Sequence, residues 1–450
     1  MARTYDMTEG SPAKHLAAFA LPMLVGNLFQ QFYNIADSAI VGKFVGPNAL
    51  GSIGATTSLI FMLFSLCIGL ASGGGIIVSQ YFGAKDGENV RKTIANAIYV
   101  IIFAAVLMTV IGVVFARPIL NLLHTPEIMM DDAVIYLQII CGGRIFMATY
   151  NGVSAILRAL GDSRTPLVFL IISCLINIAL DLCFVVGLDA GVAGAALATI
   201  IAEFLSALGC IIYARRKVEF FKLSREHLKI NREICSKCIR VGVPIALQTS
   251  MISVSLIILQ RVVNDFGDIV VTAFTISSRV EQLVQQPFGS LGAALATFTG
   301  QNIGAGKVDR VKKGFKSAMI INVVFSLIML IVMYTLGEYI VRIFVKANEQ
   351  DVIQLGAQSL KITSCFFFFL GMIYILRNIL NGAGDAMFAM INGITEVAGR
   401  VGLVYPLTAM PAVGKWGLWL TTGLTWLITA IISLIRYKLG KWKSMSLVKE

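Results

Sequence analysis

A single carboxylate lies in the middle of the first strongly apolar segment of this chain. Asp37 belongs to the stretch NLFQQFYNIADSAIVG, and the nearest basic residue in the sequence is Lys43. An ionised carboxylate is costly inside an apolar helix, so it should face the protein interior and have a partner there. Helical spacing provides such a face, because four polar side chains lie on one side of the helix: Gln30, Tyr33, Asn34 and Asp37.

Three further polar side chains are expected at the depth of Asp37. Asp181 lies near the end of the fifth apolar segment, at the same side of the bundle as Asp37. Asn177 is one turn deeper on the same helical face, and Thr199 follows just inside the start of the sixth segment. All four are therefore expected near one level, about 8 Å below one end of the bundle.

These four side chains present hard oxygen atoms, which limits the ligands they could hold. Two carboxylates, an amide and a hydroxyl suit Na⁺, and a buried carboxylate pair can also share one proton. The alternative is an internal hydrogen-bond network that joins helices and holds no ion, as polar residues in membrane bundles often do. The residues alone leave both interpretations open.

The elements that must position these residues are membrane spans. The chain has 450 residues, of which 57% are hydrophobic and 14% charged, with a mean hydropathy of +0.81. A soluble protein of this composition would expose large apolar patches. We therefore predict an all-α polytopic membrane protein with twelve spans, each long enough to cross about 30 Å of hydrocarbon. They lie at about 16–41, 50–79, 94–116, 133–157, 166–187, 191–213, 239–262, 270–300, 316–336, 355–380, 386–408 and 414–437.

Basic residues are distributed unevenly between the two sides of these spans. Most of the 37 Lys and Arg residues lie at the termini and in alternate loops. The positive-inside rule then places both termini in the cytoplasm of a cell whose membrane the chain crosses many times. The basic excess reflects topology, so no nucleic-acid partner is predicted. The other side carries only six basic residues: Lys43, Arg117, Arg342, Lys346, Lys361 and Lys415.

The two halves of the chain resemble each other. A constant offset of 221 residues aligns Gln80 with Gln301 and Gly83 with Gly304. LRALGD matches LNGAGD, and GVAG matches GKWG, both at an offset of 223 residues. Each half holds an even number of spans, so we predict two parallel lobes related by a pseudo-two-fold axis along the membrane normal.

The repeat and the polar midsection define the expected domains. We predict a six-helix N-terminal lobe at 1–213, a cytoplasmic connector at 214–238, a six-helix C-terminal lobe at 239–437 and a cytoplasmic tail at 438–450. Pro22 and Pro244 are expected to open the first span of each lobe. Two facing lobes are typical of transporters that work by alternating access.

Three motifs together resemble one transporter family. The first span reads P-x-L-x-x-N-x-x-Q-x-x-Y-N-x-x-D, SQYFGAKD follows the second span, and RALGD follows the fourth. This combination is similar to the multidrug and toxic compound extrusion (MATE) transporters. The resemblance implies export of small organic compounds, often cationic, driven by inward flow of Na⁺ or H⁺. It also implies a cation site in the N-terminal lobe, whose pattern is matched by Asp37, Asn177, Asp181 and Thr199.

The second lobe carries charges of its own within predicted spans. Some branches of the family place a second acidic site on the seventh and tenth helices, but residues 241–263 and 355–384 contain no acid, so that site is not expected. Glu396 and Arg400 can pair within one helix. These charges either stiffen the lobe or line a central cavity, where Glu281 would attract a cationic substrate: Arg279, Glu281, Arg377, Glu396 and Arg400.

The remaining expectations concern substrates and partners. Gln30, Tyr33 and Asn34 either contact substrate or pack helices, and Glu203, one turn from Thr199, either enlarges the cation site or contacts substrate. We expect a monomer that contacts membrane lipid. We expect no cofactor besides the coupling ion. The sequence contains neither an HExxH motif nor a DDxxD-type acidic cluster, so an enzyme is not favoured. The alternative function is a flippase for a lipid-linked precursor, which should line its cavity with cationic side chains.

Overall fold

The computed structural model describes residues 5–123, 125–346 and 348–448, and within these ranges the chain is helical without strands. Residues 1–4 of the expected N-terminal lobe and 449–450 of the expected tail lie outside them. The first half forms α1 (Pro12–Phe44), α2 (Pro47–Gly83), α3 (Gly87–Val114), α4 (Ala116–Leu122), α5 (Glu127–Ala159), α6 (Arg164–Asp181) and α7 (Gly191–Lys217). The second half forms α8 (Arg232–Asn264), α9 (Asp268–Gly304), α10 (Val308–Arg342), α11 (Gln350–Ser364), α12 (Phe367–Ala383), α13 (Met387–Ala409) and α14 (Gly417–Leu439).

Most of these helices have the length and composition of membrane spans. Among the described residues, nine helices are long and apolar enough to cross a membrane, and the bent pair of α11 and α12 makes a tenth. With α1 and α9, which carry more polar side chains, they occupy the twelve positions predicted from the sequence. The short α4 lies between the third and fourth spans.

The predicted span at 355–380 is broken in the structure. It consists of α11 and α12, whose axes differ by 48°. The side chains of Thr363 and Ser364 bond back to backbone carbonyls of their own helix, at Ser359 and Lys361. Such bonds compete with the helical ladder and favour bending, and the break follows directly after these two residues.

Pro22 and Pro244 lie inside helices and not at their starts. α1 begins at Pro12 and α8 at Arg232, and each helix continues through its internal proline. The expectation that these prolines open the first span of each lobe is therefore wrong. α8 begins well before its proline, at a point where the Asn231 side chain caps the helix.

The two lobes repeat one packing scheme. In the first, α2 packs against α3 and α5, α5 packs against α7, and α1 packs against α6. In the second, α9 packs against α10 and α12, α12 packs against α14, and α8 packs against α13. Between the lobes, α2 contacts α8 and α9, and α1 contacts α9. The contacts thus follow the repeat that the sequence predicts.

The lobes touch at the face that carries both chain termini, which we call the terminal face. The side chain of Gln80 at the end of α2 donates to the Gly382 carbonyl at 2.9 Å. Its repeat partner Gln301 donates to the Ala159 carbonyl at the same distance. Both glutamines are fully buried. Each lobe therefore satisfies a backbone carbonyl of the other, in a two-fold arrangement.

Both terminal segments reinforce this face. The Met7 N–H donates to Gln301 Oε1 at 2.8 Å, and the Leu447 N–H donates to Gln80 Oε1 at 2.8 Å. The N-terminal segment also reaches the first lobe, where the Tyr5 N–H donates to the Leu160 carbonyl. The segment around Met7 therefore contacts both lobes, and the segment around Leu447 binds the first lobe after leaving the second.

Close backbone approach accompanies these bonds. A Cβ atom added at Gly83 would collide with the Gln301 carbonyl, and one at Gly304 would collide with the Gln80 carbonyl. The glycines that align in the sequence repeat thus allow α2 and α9 to meet at the terminal face.

Candidate functional site

Asp37 and Asp181 meet where α1 and α6 pack together. Asp181 is fully buried, and Asp37 is half-buried. Their carboxyl groups lie within hydrogen-bonding reach of each other. Two ionised carboxylates would repel at that separation, so the contact requires a proton or another cation between them. We refer to these two groups as the carboxylate pair.

The backbone changes its winding at this point. Asp181 is the last residue of α6, and a π-helical turn follows at Leu182–Gly187. Turns of this kind are rare and are frequently found at functional sites. The change in winding therefore coincides with one member of the carboxylate pair.

Asn177 joins the carboxylate pair to two neighbouring helices. When its amide is oriented to satisfy both ends, the nitrogen donates to Asp181 Oδ2 at 3.0 Å and to the Tyr33 hydroxyl at 3.2 Å. The amide oxygen accepts the Thr199 backbone N–H at 3.0 Å. The Thr199 hydroxyl is itself within hydrogen-bonding reach of Tyr33. The structure thus brings together Asp37 and the three residues predicted at its depth.

Each acid of the pair has one oxygen atom that lacks a partner. Asp37 Oδ1 and Asp181 Oδ1 are buried and accept no hydrogen bond. An unsatisfied buried carboxylate oxygen is costly, and a cation between the two acids would satisfy both. The oxygen atoms available to a cation are those of the two carboxylates and of the Thr199 hydroxyl, whose own proton is donated to the Ala195 carbonyl at 3.0 Å. Such oxygen atoms fit Na⁺, and the adjacent acids also fit one shared proton.

The residues proposed to contact substrate on α1 divide into two groups. Tyr33 belongs to the ion site, since its hydroxyl contacts Asn177. Gln30 and Asn34 are exposed, and they lie outside the hydrogen-bond network of the carboxylate pair. The polar stripe seen in the sequence therefore contributes both to the ion site and to accessible surface.

Glu203 has a partner that sequence reasoning missed. Its Oε1 atom lies 3.1 Å from Arg144 Nη1, joining α7 to α5. The two residues are 59 positions apart, and helical spacing within one segment could not indicate such a pairing. Arg144 lies within a predicted span, and this placement indicates an acidic partner, because a cation inside a membrane span requires an acid.

The charges of the second lobe form a separate cluster. Arg400 lies 3.6 Å from Glu396, which is the pairing within one helix that the sequence indicated. Arg400 also donates to the Ser255 hydroxyl on α8. Glu281 on α9 lies within hydrogen-bonding reach of Thr363 on α11, near Arg400. These contacts are those of a network that joins helices within the lobe.

The repeat makes the contrast between the lobes specific. At an offset of 223 residues Asn177 aligns with Arg400, and Asp181 aligns with Val404. The second lobe therefore holds a guanidinium where the first lobe holds an amide beside its acids. A built-in positive charge occupies the position that is related by the repeat to the candidate ion site.

Comparisons with known proteins agree with this architecture. The MatE family model matches residues 22–183 and 244–402. The chain is 30% identical over 451 residues to "Probable multidrug resistance protein YpnP" of Bacillus subtilis, covering 100% of each chain. It is 28% identical to "Probable multidrug resistance protein YoeA" of the same organism, covering 92% of this chain and 91% of the relative.

A solved structure confirms the fold. The crystal structure of MATE in the bent conformation matches with a TM-score of 0.91 at 21% identity, covering 99% of each chain. The predicted all-α class, with twelve helices in two lobes, is confirmed by this match, and the two segments matched by the family model fall one in each lobe. The chain is a multi-pass membrane protein that belongs to the MATE family of multidrug efflux transporters.

Proposed function

We propose that this transporter exports small organic compounds, cationic ones among them, in exchange for Na⁺ or H⁺ by alternating access. The main support is the pair of adjacent acids, Asp37 and Asp181, in the first lobe, each of which has a buried oxygen atom without a partner. A purely structural device could recur in both lobes, but the repeat has Val404 where Asp181 lies. The names of the relatives as multidrug resistance proteins support the export of foreign compounds.

Each member of the site has a role in this proposal. Asp37 and Asp181 hold the ion, and the Thr199 hydroxyl is a further oxygen ligand. Asn177 orients Asp181, because its amide nitrogen donates to that carboxylate and its oxygen is already occupied by the Thr199 N–H. No cofactor besides the coupling ion is required.

Ion binding drives the transport cycle through a difference in affinity. Occupation neutralises buried negative charge, which stabilises one arrangement of the lobes over the other only if that arrangement binds the ion more tightly. Substrate leaves outward as the ion moves inward. One charge that crosses 100 mV supplies about 2.3 kcal/mol.

Substrate and membrane contacts complete the proposal. Gln30, Asn34 and Glu281 are proposed to contact substrate, and Tyr33 contributes its aromatic face beside the ion site. The protein works as a monomer in contact with lipid. The terminal face lies in the cytoplasm, as the distribution of basic residues favours, so that both termini are cytoplasmic.

The test is the variant Asp37→Asn. It retains the size of the side chain but removes a charge from the carboxylate pair, so we expect ethidium export from proteoliposomes under an imposed Na⁺ or pH gradient to fall at least about tenfold. Asp132→Asn is the control, because Asp132 is an exposed acid outside the site. Export at the wild-type rate by Asp37→Asn protein would refute the proposal.

The same vesicles separate the two coupling ions and the alternative function. A Na⁺ gradient at constant pH and a pH jump without Na⁺ are applied in turn to wild-type protein. A fluorescent lipid-linked precursor replaces ethidium to test the flippase alternative, which the comparisons with known proteins do not support.

A further inference from the structure

Arg144 and Glu203 form a partly buried ion pair in the lobe that contains the carboxylate pair. Their charged atoms are 3.1 Å apart, and the side chains are 16% and 20% exposed. The guanidinium lies over the ring of Phe64, 5.6 Å from its centroid, and its Nε atom is buried without a partner. Arginine keeps its proton in proteins, so Arg144 places a permanent positive charge inside the lobe.

This ion pair lies near the ion site, and both share a charged or titratable neighbour. Glu203 follows Thr199 by one turn of α7, about 6 Å along the helix. Tyr136 on α5 lies within electrostatic range of both charged pairs. The titratable groups nearest the ion pair are Tyr33 and Tyr136, which also lie near Asp37, and the two thiols near Arg144, those of Cys67 and Cys141.

We propose that Arg144 and Glu203 are positioning residues that set how tightly the carboxylate pair holds the coupling ion; this inference rests on the proposed function. Arg144 alone would repel an entering cation, and Glu203 cancels that repulsion. A unit charge about 10 Å away, at an effective dielectric constant of about 20, changes a binding constant about tenfold. The neutral pair therefore keeps the affinity in a range where the ion can both bind and leave.

The decisive variant is Glu203→Gln, because it leaves the charge of Arg144 without its acid. We expect the half-saturating Na⁺ concentration to rise about tenfold, or the pH of half-maximal export to fall by about one unit, depending on the coupling ion. The double variant Arg144→Met/Glu203→Gln removes the repelling charge as well. It should return the affinity to within about threefold of the wild-type value.

Two measurements report the ion affinity of the site, and one of them does not depend on transport. Purified protein is titrated with radioactive Na⁺, or its proton uptake after a pH jump is followed, and ethidium export is measured in proteoliposomes. Arg144→Lys is the matched control, since it keeps the positive charge, and it should shift the affinity less than about threefold.

The double variant distinguishes electrostatic balance from packing. If it binds the ion as weakly as Glu203→Gln or more weakly, the proposal is overturned, because packing defects accumulate whereas opposite charges compensate. Unchanged affinity in Glu203→Gln also overturns it. Absence of both Na⁺ and proton dependence in wild-type protein would instead contradict the exchange mechanism itself.

Discussion

The second lobe contains a buried ion pair, and this pair offers a direct test of what a buried charge costs. Arg400 and Glu396 are both buried and lie one turn apart on α13. Removing one partner of a buried ion pair leaves an uncompensated charge, which is far more costly than losing an exposed pair. The position of Glu281 near Arg400 softens this cost without abolishing it.

We therefore expect Glu396→Gln to destabilise the protein by about 1–3 kcal/mol, measured as a lower thermal unfolding midpoint in detergent. The chain contains a matched control in Glu338→Gln, because Glu338 and Arg342 have the same spacing but are exposed. That variant should change stability by less than about 0.5 kcal/mol. Equal midpoints for the two variants would contradict a stiffening role for the buried pair.

At the residue scale, the depth of each polar side chain along its span could be predicted from the sequence, and its role in binding an ion stays a prediction. Asp37, Asn177, Asp181 and Thr199 were placed at one level from their distances to span ends, and the structure brings them together. The partner of Glu203 could not be found in this way. Depth says nothing about which faces of two helices meet, and that arrangement depends on the packing of the whole lobe.

At the scale of elements, the contact of α2 with α9 depends on glycine. We expect Gly83→Ala to reduce the population with a closed terminal face, because the added methyl group would collide with the Gln301 carbonyl. Fluorophores at Lys217 and Asp309 report the separation of the lobes at this face. They are introduced as noncanonical amino acids because the chain has eight cysteines.

Gly54→Ala is the control for this prediction. Gly54 lies in the same helix, but a Cβ atom there would have no neighbour within 4 Å. Alanine is favoured over glycine in a helix by about 1 kcal/mol, so this change should leave the closed population intact and slightly raise stability. If the terminal face also stays closed in the Gly83→Ala protein, the close contact of α2 with α9 at Gly83 is not required for closure.

Element boundaries were the part of the fold that the sequence indicated least well. Apolar runs mark where a helix crosses hydrocarbon, and α1 and α8 continue beyond those limits into polar sequence. The bend between α11 and α12 directly follows two hydroxyl side chains that bond to their own backbone. The average composition of a segment does not show which partner a hydroxyl group bonds to, so it cannot predict this bend.

At the scale of the molecule, the reciprocal bonds of Gln80 and Gln301 close the terminal face. We expect the double variant Gln80→Leu/Gln301→Leu to open it, since each change leaves a buried backbone carbonyl of the other lobe without its donor. Each lost bond should cost about 1–3 kcal/mol of the closed state. The same fluorophores should report a larger separation.

An exposed glutamine provides the comparison. Gln282 is exposed on α9, away from the terminal face, and Gln282→Leu should leave the separation unchanged. A double variant that stays closed would show that apolar packing alone holds the lobes together at this face.

The sequence repeat predicted the two lobes and aligned these glutamines, because duplicated elements retain their packing partners. It did not predict that each chain end would bind the glutamine of a lobe. The segments around Met7 and Leu447 are short, irregular and not repeated, so no periodicity marks them. Their placement depends on a surface that exists only after both lobes have assembled.

Reciprocity at this face has a kinetic consequence. Each buried glutamine side chain bonds to the other lobe and also accepts a hydrogen bond from one terminal segment. A partial opening would therefore break several buried hydrogen bonds at once, before water could replace them. Switching should therefore be abrupt. Single-molecule trajectories are expected to show long dwells separated by rapid jumps, with few intermediate separations, whatever compound is being carried.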